Sequence, residues 1–322
     1  MVDYSPELGL DGRRSLWFMG RELKNEFSWS KTRDETFREC LRKYYFQYYG
    51  SWFGWERDAD PRTRQIYILK NLQTRQMWAG DHVHRAIEDI LGHLRRGAEL
   101  PMEEAAVAKM LDAMRQDFRD SRSGKYRDQP KRTCGLFEHE YAVKLPDEAW
   151  KENADHAAQC LRNFYASEIL QRGRALPQSA WLQIEERSAF LLDGIKVFVQ
   201  LDFAFSEGDQ IVVYDWKTGR AAAKNDVQLA CYVLYAVDKW KVAPDRVAAV
   251  EFNLQTKTET RHQVDAEKLE SVKDHIRDSA DEMQFPLSDP EQNLAEEESF
   301  DFTEDEHACK RCNFVKVCPK WV

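Results

Sequence analysis

The chain has 322 residues, 43% of them hydrophobic, and a formal net charge of -9. That length carries a full-sized core, and the acidic balance excludes a globally basic nucleic-acid binder, so such a partner would have to be met by a local groove. No run approaches the ~20 apolar residues of a membrane span, and no GxxxxGK[ST] phosphate loop is present.

The start, MVDYSPELGLDGRRSLWF, lacks the apolar stretch of a signal peptide. With seven cysteines and no export signal, the expected setting is a reducing cytoplasm, where clustered cysteines mean ligands or redox chemistry. Residues 36–55 are dense in aromatics interleaved with Arg38, Arg42 and Lys43. At least half of these rings should be core. Others, with Arg42 and Lys43, could stack on and neutralise a single nucleic-acid strand. Residues 78–97 read as an amphipathic helix with Val83, Ile87, Ile90 and Leu94 on one stripe. Helical patterns recur over 102–119 and 147–172, joined by a basic polar loop at 119–132. Strand character begins at 181–186 and dominates 195–217. A helix is expected at 226–240, a strand at 247–254, a helix near 265–284, and an acidic linker over 287–307.

The segment VFVQLDFAFSEGDQIVVYDWKTG, 197–219, reads as a hairpin turning at Glu207-Gly208-Asp209-Gln210. If Ser206 pairs with Ile211, Asp202 falls opposite Asp215, with Lys217 on the same face. Leu201, Phe203, Phe205, Val212, Tyr214 and Trp216 then form the core face. Two opposed carboxylates repel, and a hard divalent cation such as Mg²⁺ or Mn²⁺ would relieve them. Lys217 would orient or deprotonate an attacking water. The same residues also fit a solvated hairpin carrying an Asp215–Lys217 surface pair. Gln228 and Tyr232 share one helical face, as do Gly80 and His84, whereas His82 reads as a packed or surface histidine. The chain ends on CKRCNFVKVC: Cys309, Cys312 and Cys318, then Pro319. Thiolate-held metals normally take four ligands, and the spacing alone does not supply the fourth.

Together these motifs resemble the RecB-like branch of the PD-(D/E)XK nuclease superfamily: Gly80/His84, then Asp202, then Asp215-Trp216-Lys217-Thr218-Gly219, then Gln228/Tyr232. The resemblance spans roughly residues 36–318. Leu201 replaces the proline of the superfamily's name, and Val199 stands where a glycine is usual. The resemblance implies metal ligands at His84, Asp202 and Asp215, a catalytic Lys217, and Gln228 and Tyr232 steadying the site or meeting the nucleic-acid backbone. Glu185 is weighed as a further site residue and read as structural.

One subgroup, including the AddB nuclease domain and the CRISPR-associated adaptation nucleases, carries an upstream cysteine in a context similar to Cys40-Leu41-Arg42-Lys43-Tyr44-Tyr45-Phe46. By that resemblance Cys40 joins Cys309, Cys312 and Cys318 around a [4Fe–4S] cluster. Zn²⁺, or no metal at all, is the competing reading. Cys134, Cys160 and Cys231 read as packed thiols.

The expected fold is α/β, a restriction-endonuclease-like core with a central mixed sheet flanked by helices and an iron–sulfur lobe joining the two chain ends. The expected organisation is a single nuclease domain, 1–322. Residues 36–77 hold the aromatic and basic segment, 78–286 the nuclease core with a helical insert at about 98–180, and 287–322 the linker and terminal cysteines. The implied activity is metal-dependent hydrolysis of DNA, as an exonuclease on single-stranded or end-containing substrates. The setting would be CRISPR adaptation beside an integrase, or DNA repair beside a helicase. The alternative is a non-cleaving module that binds nucleic acid or a partner on the same fold.

Overall fold

The computed structural model describes residues 17–18, 21–219 and 226–321. Its centre is one five-stranded sheet: β1 (Trp181–Leu192), β2 (Ile195–Glu207), β3 (Gln210–Lys217), β4 (Val247–Asn253) and β5 (Thr258–His262), in that spatial order. Neighbours are antiparallel except β3 and β4. A parallel pair needs a crossover, and the helix Asp226–Trp240 supplies it.

In chain order the helices that matter are α1 (Lys31–Glu39), α2 (Leu41–Tyr45), α3 (Pro61–Lys70), α4 (Arg75–Arg95), α5 (Glu103–Arg122), α6 (Asp147–Tyr165), α7 (Glu168–Ala175), α8 (Asp226–Trp240), α9 (Ala266–Gln284) and α10 (Glu306–Lys310). Their starts follow from local chemistry. Ser30, Thr74 and Asp265 accept first-turn amides with their side chains, which satisfies donors a helix cannot. Acidic residues stand in the first turns of α5 and α6, where the helix dipole favours them.

Both faces of the sheet are covered. On one, α4, α5, α6 and α7 pack Val83, Ile87, Met110 and Phe164 against Phe203, Phe205, Tyr214 and Trp216. On the other, α8, α9 and the segment from Trp29 to Tyr49 pack on Leu201, Ala204, Ile211 and Val213. A third, smaller core joins Phe46, Ile66, Leu69 and Leu72 to Phe314 and Val317, tying the C-terminal segment to α3. Burial on both faces explains why β3 reads as a nearly continuous apolar run.

Two expectations change here. The hairpin keeps the anticipated register from Glu207↔Gln210 to Phe203↔Tyr214, but its ladder stops there, so Asp202 and Asp215 are not cross-strand partners. Pairing of β1 with β2 likewise omits Glu185 and Asp202. Alternation breaks at that point, so Leu201 joins the α8 face rather than the face of Phe203 and Phe205. The stretch 287–307, read as a linker, is packed: Phe300 is fully buried against Tyr44 and Tyr49, and Glu297 is buried between Arg42 and Arg62. None of the described helices is long and apolar enough to cross a membrane.

Candidate active site and cysteine cavity

The break in the ladder is where the acidic site forms. Asp202 turns one carboxylate oxygen to accept the backbone N–H of Trp216, so a side chain takes an amide the ladder would have used. Its other oxygen lies 3.4 Å from His84 Nδ1. His84 Nδ1 also lies 2.9 Å from Glu185 Oε1. Glu185, in the left-handed region at φ 47°, is held there in the middle of β1. That conformation costs an ordinary residue about 1–3 kcal/mol and persists only where the surroundings impose it. His84, Glu185 and Asp202 offer three ligand atoms within 4.8 Å of one another.

Asp215, on β3, stands outside that group of three but near enough for its charge to act on Asp202. Its Oδ2 lies 2.6 Å from Lys217 Nζ, and its Oδ1 accepts from Gln228 Nε2 at 3.0 Å and from the Tyr232 hydroxyl at 3.1 Å. Gln228 Oε1 in turn lies 3.5 Å from Lys217 Nζ. Gln228 and Tyr232 stand one turn apart on α8, the reason their spacing is four.

Gly80 has a steric reason. A Cβ there would sit 3.1 Å from Thr218 Oγ1, a tight contact, so glycine eases the close approach of α4 to the end of β3 that delivers His84. The same strand end is held from behind by His156, which bonds the Thr218 carbonyl, and by Asn253, which bonds that of Gly219.

The electrostatics follow from burial and charge. Burial holds the Asp202 carboxyl above the usual carboxylate range, opposed by the His84 imidazole beside it. Burial disfavours a charged His84, but Asp202 and Glu185 outweigh that and raise it well above an ordinary histidine. Tyr232 is pushed far up by burial and then by both aspartates, so its hydroxyl stays a proton donor to Asp215. A proton on His84 now relieves the acidic cluster. A hard dication would do so more fully, because carboxylate oxygens are its preferred ligands.

The geometry thus brings His84, Asp202, Asp215, Lys217, Gln228 and Tyr232 together. It adds Glu185, which the sequence reading took as structural. The signal that could have found it is an acidic residue interrupting the alternation of an otherwise regular strand.

A model of the PD-(D/E)XK nuclease superfamily matches residues 28–319. The chain belongs to this superfamily. Its members are mostly metal-dependent nucleases, and the mixed sheet flanked by helices fits their restriction-endonuclease-like core. No curated protein matches the chain. Seven solved chains do. One is titled "Crystal structure of SSO0001", 14% identical, with TM-score 0.29, covering 58% of this chain and 80% of that one.

A second constellation lies at the junction of α1 and α2. Cys40, Cys309, Cys312 and Cys318 all line one small cavity of about 20 Å³, beside Phe46, Phe302 and Phe314. The cavity therefore joins residues far apart in sequence. Cys40 caps α2, its Sγ accepting from the Lys43 amide at 3.5 Å, and Cys312 Sγ accepts from the Phe314 amide at 3.4 Å. The Lys320 amide does the same for Cys318. Burial pushes the Cys312 thiol up to about 11 and raises Cys318 as well.

Arg42, expected to meet a nucleic-acid strand, is instead buried and committed. It bonds Glu297 at 2.8 Å and the Phe300 carbonyl at 2.7 Å, and it lies over the Phe302 ring. Lys43 lines the cysteine cavity and pairs with Glu39. Of the aromatics after Cys40, Tyr44, Phe46 and Tyr49 are core. Cys160 and Cys231 are packed thiols, and Cys134 is half-buried.

Proposed function

We propose that this protein hydrolyses nucleic-acid phosphodiesters, as an exonuclease on single-stranded or free-ended DNA, in CRISPR adaptation beside an integrase or in repair beside a helicase. The observation that carries the hydrolytic reading is the convergence of His84, Asp202, Asp215 and Lys217 on one buried point of a sheet in a chain of this superfamily. His84, Asp202 and Asp215, with Glu185 alongside, would hold Mg²⁺ or Mn²⁺. When bound, that ion supplies positive charge for the phosphate and acidifies a water.

The chain's own groups do the rest. Lys217 presents its ammonium at the Asp215 carboxylate, where it can orient the attacking water, take up or release its proton, and meet the charge that grows on the phosphate. Gln228 fixes Lys217 and Asp215 at once, and Tyr232 keeps Asp215 oriented through its hydroxyl.

For the cysteine cavity the proposal is a [4Fe–4S] cluster on Cys40, Cys309, Cys312 and Cys318. The donor set fits, with thiols around one cavity and amide N–H groups aimed at the sulfurs.

The test of the hydrolytic reading is cleavage of end-labelled single-stranded DNA with Mn²⁺ by the wild type and by Lys217→Ala. Loss of cleavage with retained strand binding is expected. Equal rates in the two would overturn it and leave a non-cleaving binding module.

A further inference from the structure

Beside the acidic site runs a second concavity that the chemistry above does not use, a polar groove of about 240 Å³. Its inner wall is α8, through Gln228 and Tyr232, the two residues that hold Asp215. The groove therefore shares two residues with the acidic site. Its outer wall is the first turn of α1, Ser30 to Thr32. The amides of Lys31 and Thr32 have no acceptor within the helix, as in any first turn. The floor is β2 at 198–200.

Strand pairing along that edge of β2 leaves a gap. Trp29 bridges Val197 and takes the Phe198 amide on its carbonyl, β3 pairs only from Phe203 onward, and among the described residues no strand covers 199–202 along this edge. An open sheet edge this close to a buried core is normally covered or blunted. Here it is left facing the groove.

The charges point the same way in a chain that is acidic overall. Arg187 stands exposed at the groove with its guanidinium 4.1 Å over the Phe198 ring, and Lys196 lies 5.4 Å from the same ring. Among the described residues Arg187 has no carboxylate within ion-pair distance, so its charge is available. Lys31 adds a second cation, paired only to the exposed Glu35 on its own helix.

The groove's position is fixed by buried bonds. Asp34 on α1 accepts from Ser279 at 2.7 Å and lies 3.0 Å from His275, both on α9, and Trp29 donates to the same Ser279. The first turn of α1 is therefore held rigidly over the β2 edge.

Resting on the nuclease reading above, we infer that this groove is the binding track for the single strand beside the scissile phosphate. Arg187 and Lys31 take its phosphates, and Phe198 offers a face for a base. Cations along a groove with an aromatic platform are what a polynucleotide strand with unpaired bases needs. DNA and RNA share this chemistry.

The experiment is fluorescence anisotropy with labelled 15-residue oligothymidylate, oligouridylate and a DNA hairpin duplex, in EDTA so that nothing is cut, at low and moderate salt. The single strands should bind more tightly than the duplex, and their ratio separates DNA from RNA. Arg187→Ala with Lys31→Ala should weaken single-strand binding by about tenfold and lower the salt slope by roughly 0.7 per charge removed. Phe198→Ala should weaken binding with the slope unchanged, since stacking releases no counterions. Lys109→Glu, an exposed change on α5, controls for net charge and should bind as wild type. Wild-type affinity in the Arg187/Lys31 double variant, or no strand binding at low salt, overturns the groove. Strand binding that depends on Arg187 in a protein that never cleaves would instead overturn the nuclease reading and leave the groove standing.

Discussion

The acidic site and the cysteine cavity are built on opposite plans. In the first, every charged atom is already engaged: Asp202 takes a backbone amide, Asp215 takes Gln228, Tyr232 and Lys217, and His84 bridges two carboxylates. Removing an ion from such a site leaves a network that still holds itself. In the second, four thiols face one cavity, and Cys40 and Cys312 accept only long bonds, from amides at 3.5 and 3.4 Å. Burial favours the protonated form of Cys312 and Cys318. On the functions proposed above, the first site would need its ion for reaction and the second its metal for cohesion, because metal binding to thiolates is part of the folding free energy.

The sharpest way to break that contrast is at Lys217. Lys217→Ala should cut strand cleavage by about 10²–10⁴-fold, the usual worth of a positioned proton-transfer group, and leave thermal unfolding nearly unmoved. A large fall in Tm would mean that the acidic site, too, is mainly structural.

Cysteine variants should behave in the reverse sense. Anaerobically purified wild type should be brown with broad absorption near 400 nm from sulfur-to-iron charge transfer, and Cys40→Ala should lose that colour as fully as Cys312→Ala. Both should unfold more easily by several kcal/mol, since they open a tie between distant parts of the chain. Cys231→Ala, in the main core, should keep its colour. Full iron content in Cys40→Ala would refute the four-cysteine arrangement.

A smaller effect is expected at Glu185. Glu185→Gln keeps the shape of the side chain and removes its charge from His84. Mn²⁺ affinity measured by calorimetry should fall about 10–100-fold, the range seen when a group supporting a metal ligand is lost. Unchanged affinity would return Glu185 to a purely structural role.

The mildest prediction concerns the tie beside the cysteines. Although burial opposes it, hydrogen bonds and charge from Arg62 and then Arg42 hold the Glu297 carboxyl below the usual glutamate range. A depressed folded value means stability that is present above the ordinary glutamate pKa of about 4.3 and lost as pH falls through the folded value. The stability gap between wild type and Glu297→Gln should thus be widest near neutrality and close in acid. Urea unfolding at pH 7 and pH 3 checks this, and a gap that widens in acid would contradict it.

Much of the fold was legible because its signals are local. The stripe of Val83, Ile87 and Ile90 announces α4, and the apolar runs flanking Gly208 announce the hairpin with its register. The order of Gly80, His84, Asp202, Asp215, Lys217, Gln228 and Tyr232 carried the site. What was hidden depends on interactions between segments. A regular ladder would have set Asp202 against Asp215. The break arises because Asp202 competes for the Trp216 amide while Glu185 flips to positive φ. Arg42 looks like a surface cation in sequence, yet its partners Glu297 and Phe300 are more than 250 residues away and nothing local marks them. The acidic run around Glu297 reads as solvated for the same reason. The strand Thr258–His262, short and polar at the sheet edge, carries too little apolar pattern to be seen.

One feature of the sheet also has an optical consequence. Phe203, Phe205, Tyr214 and Trp216 form a ladder of near-parallel rings, with Tyr214 and Trp216 inclined by only 22° at 5.2 Å. Closely spaced aromatic transitions held at fixed angles give strong near-ultraviolet circular dichroism, which vanishes when side-chain packing is lost. The residue next to Trp216 is Asp215, and the Trp216 backbone amide is the one Asp202 captures. The protein thus carries its own spectroscopic gauge directly behind the acidic site, and an ion that shifts Asp202 should register as a change in ellipticity near 290 nm without any label.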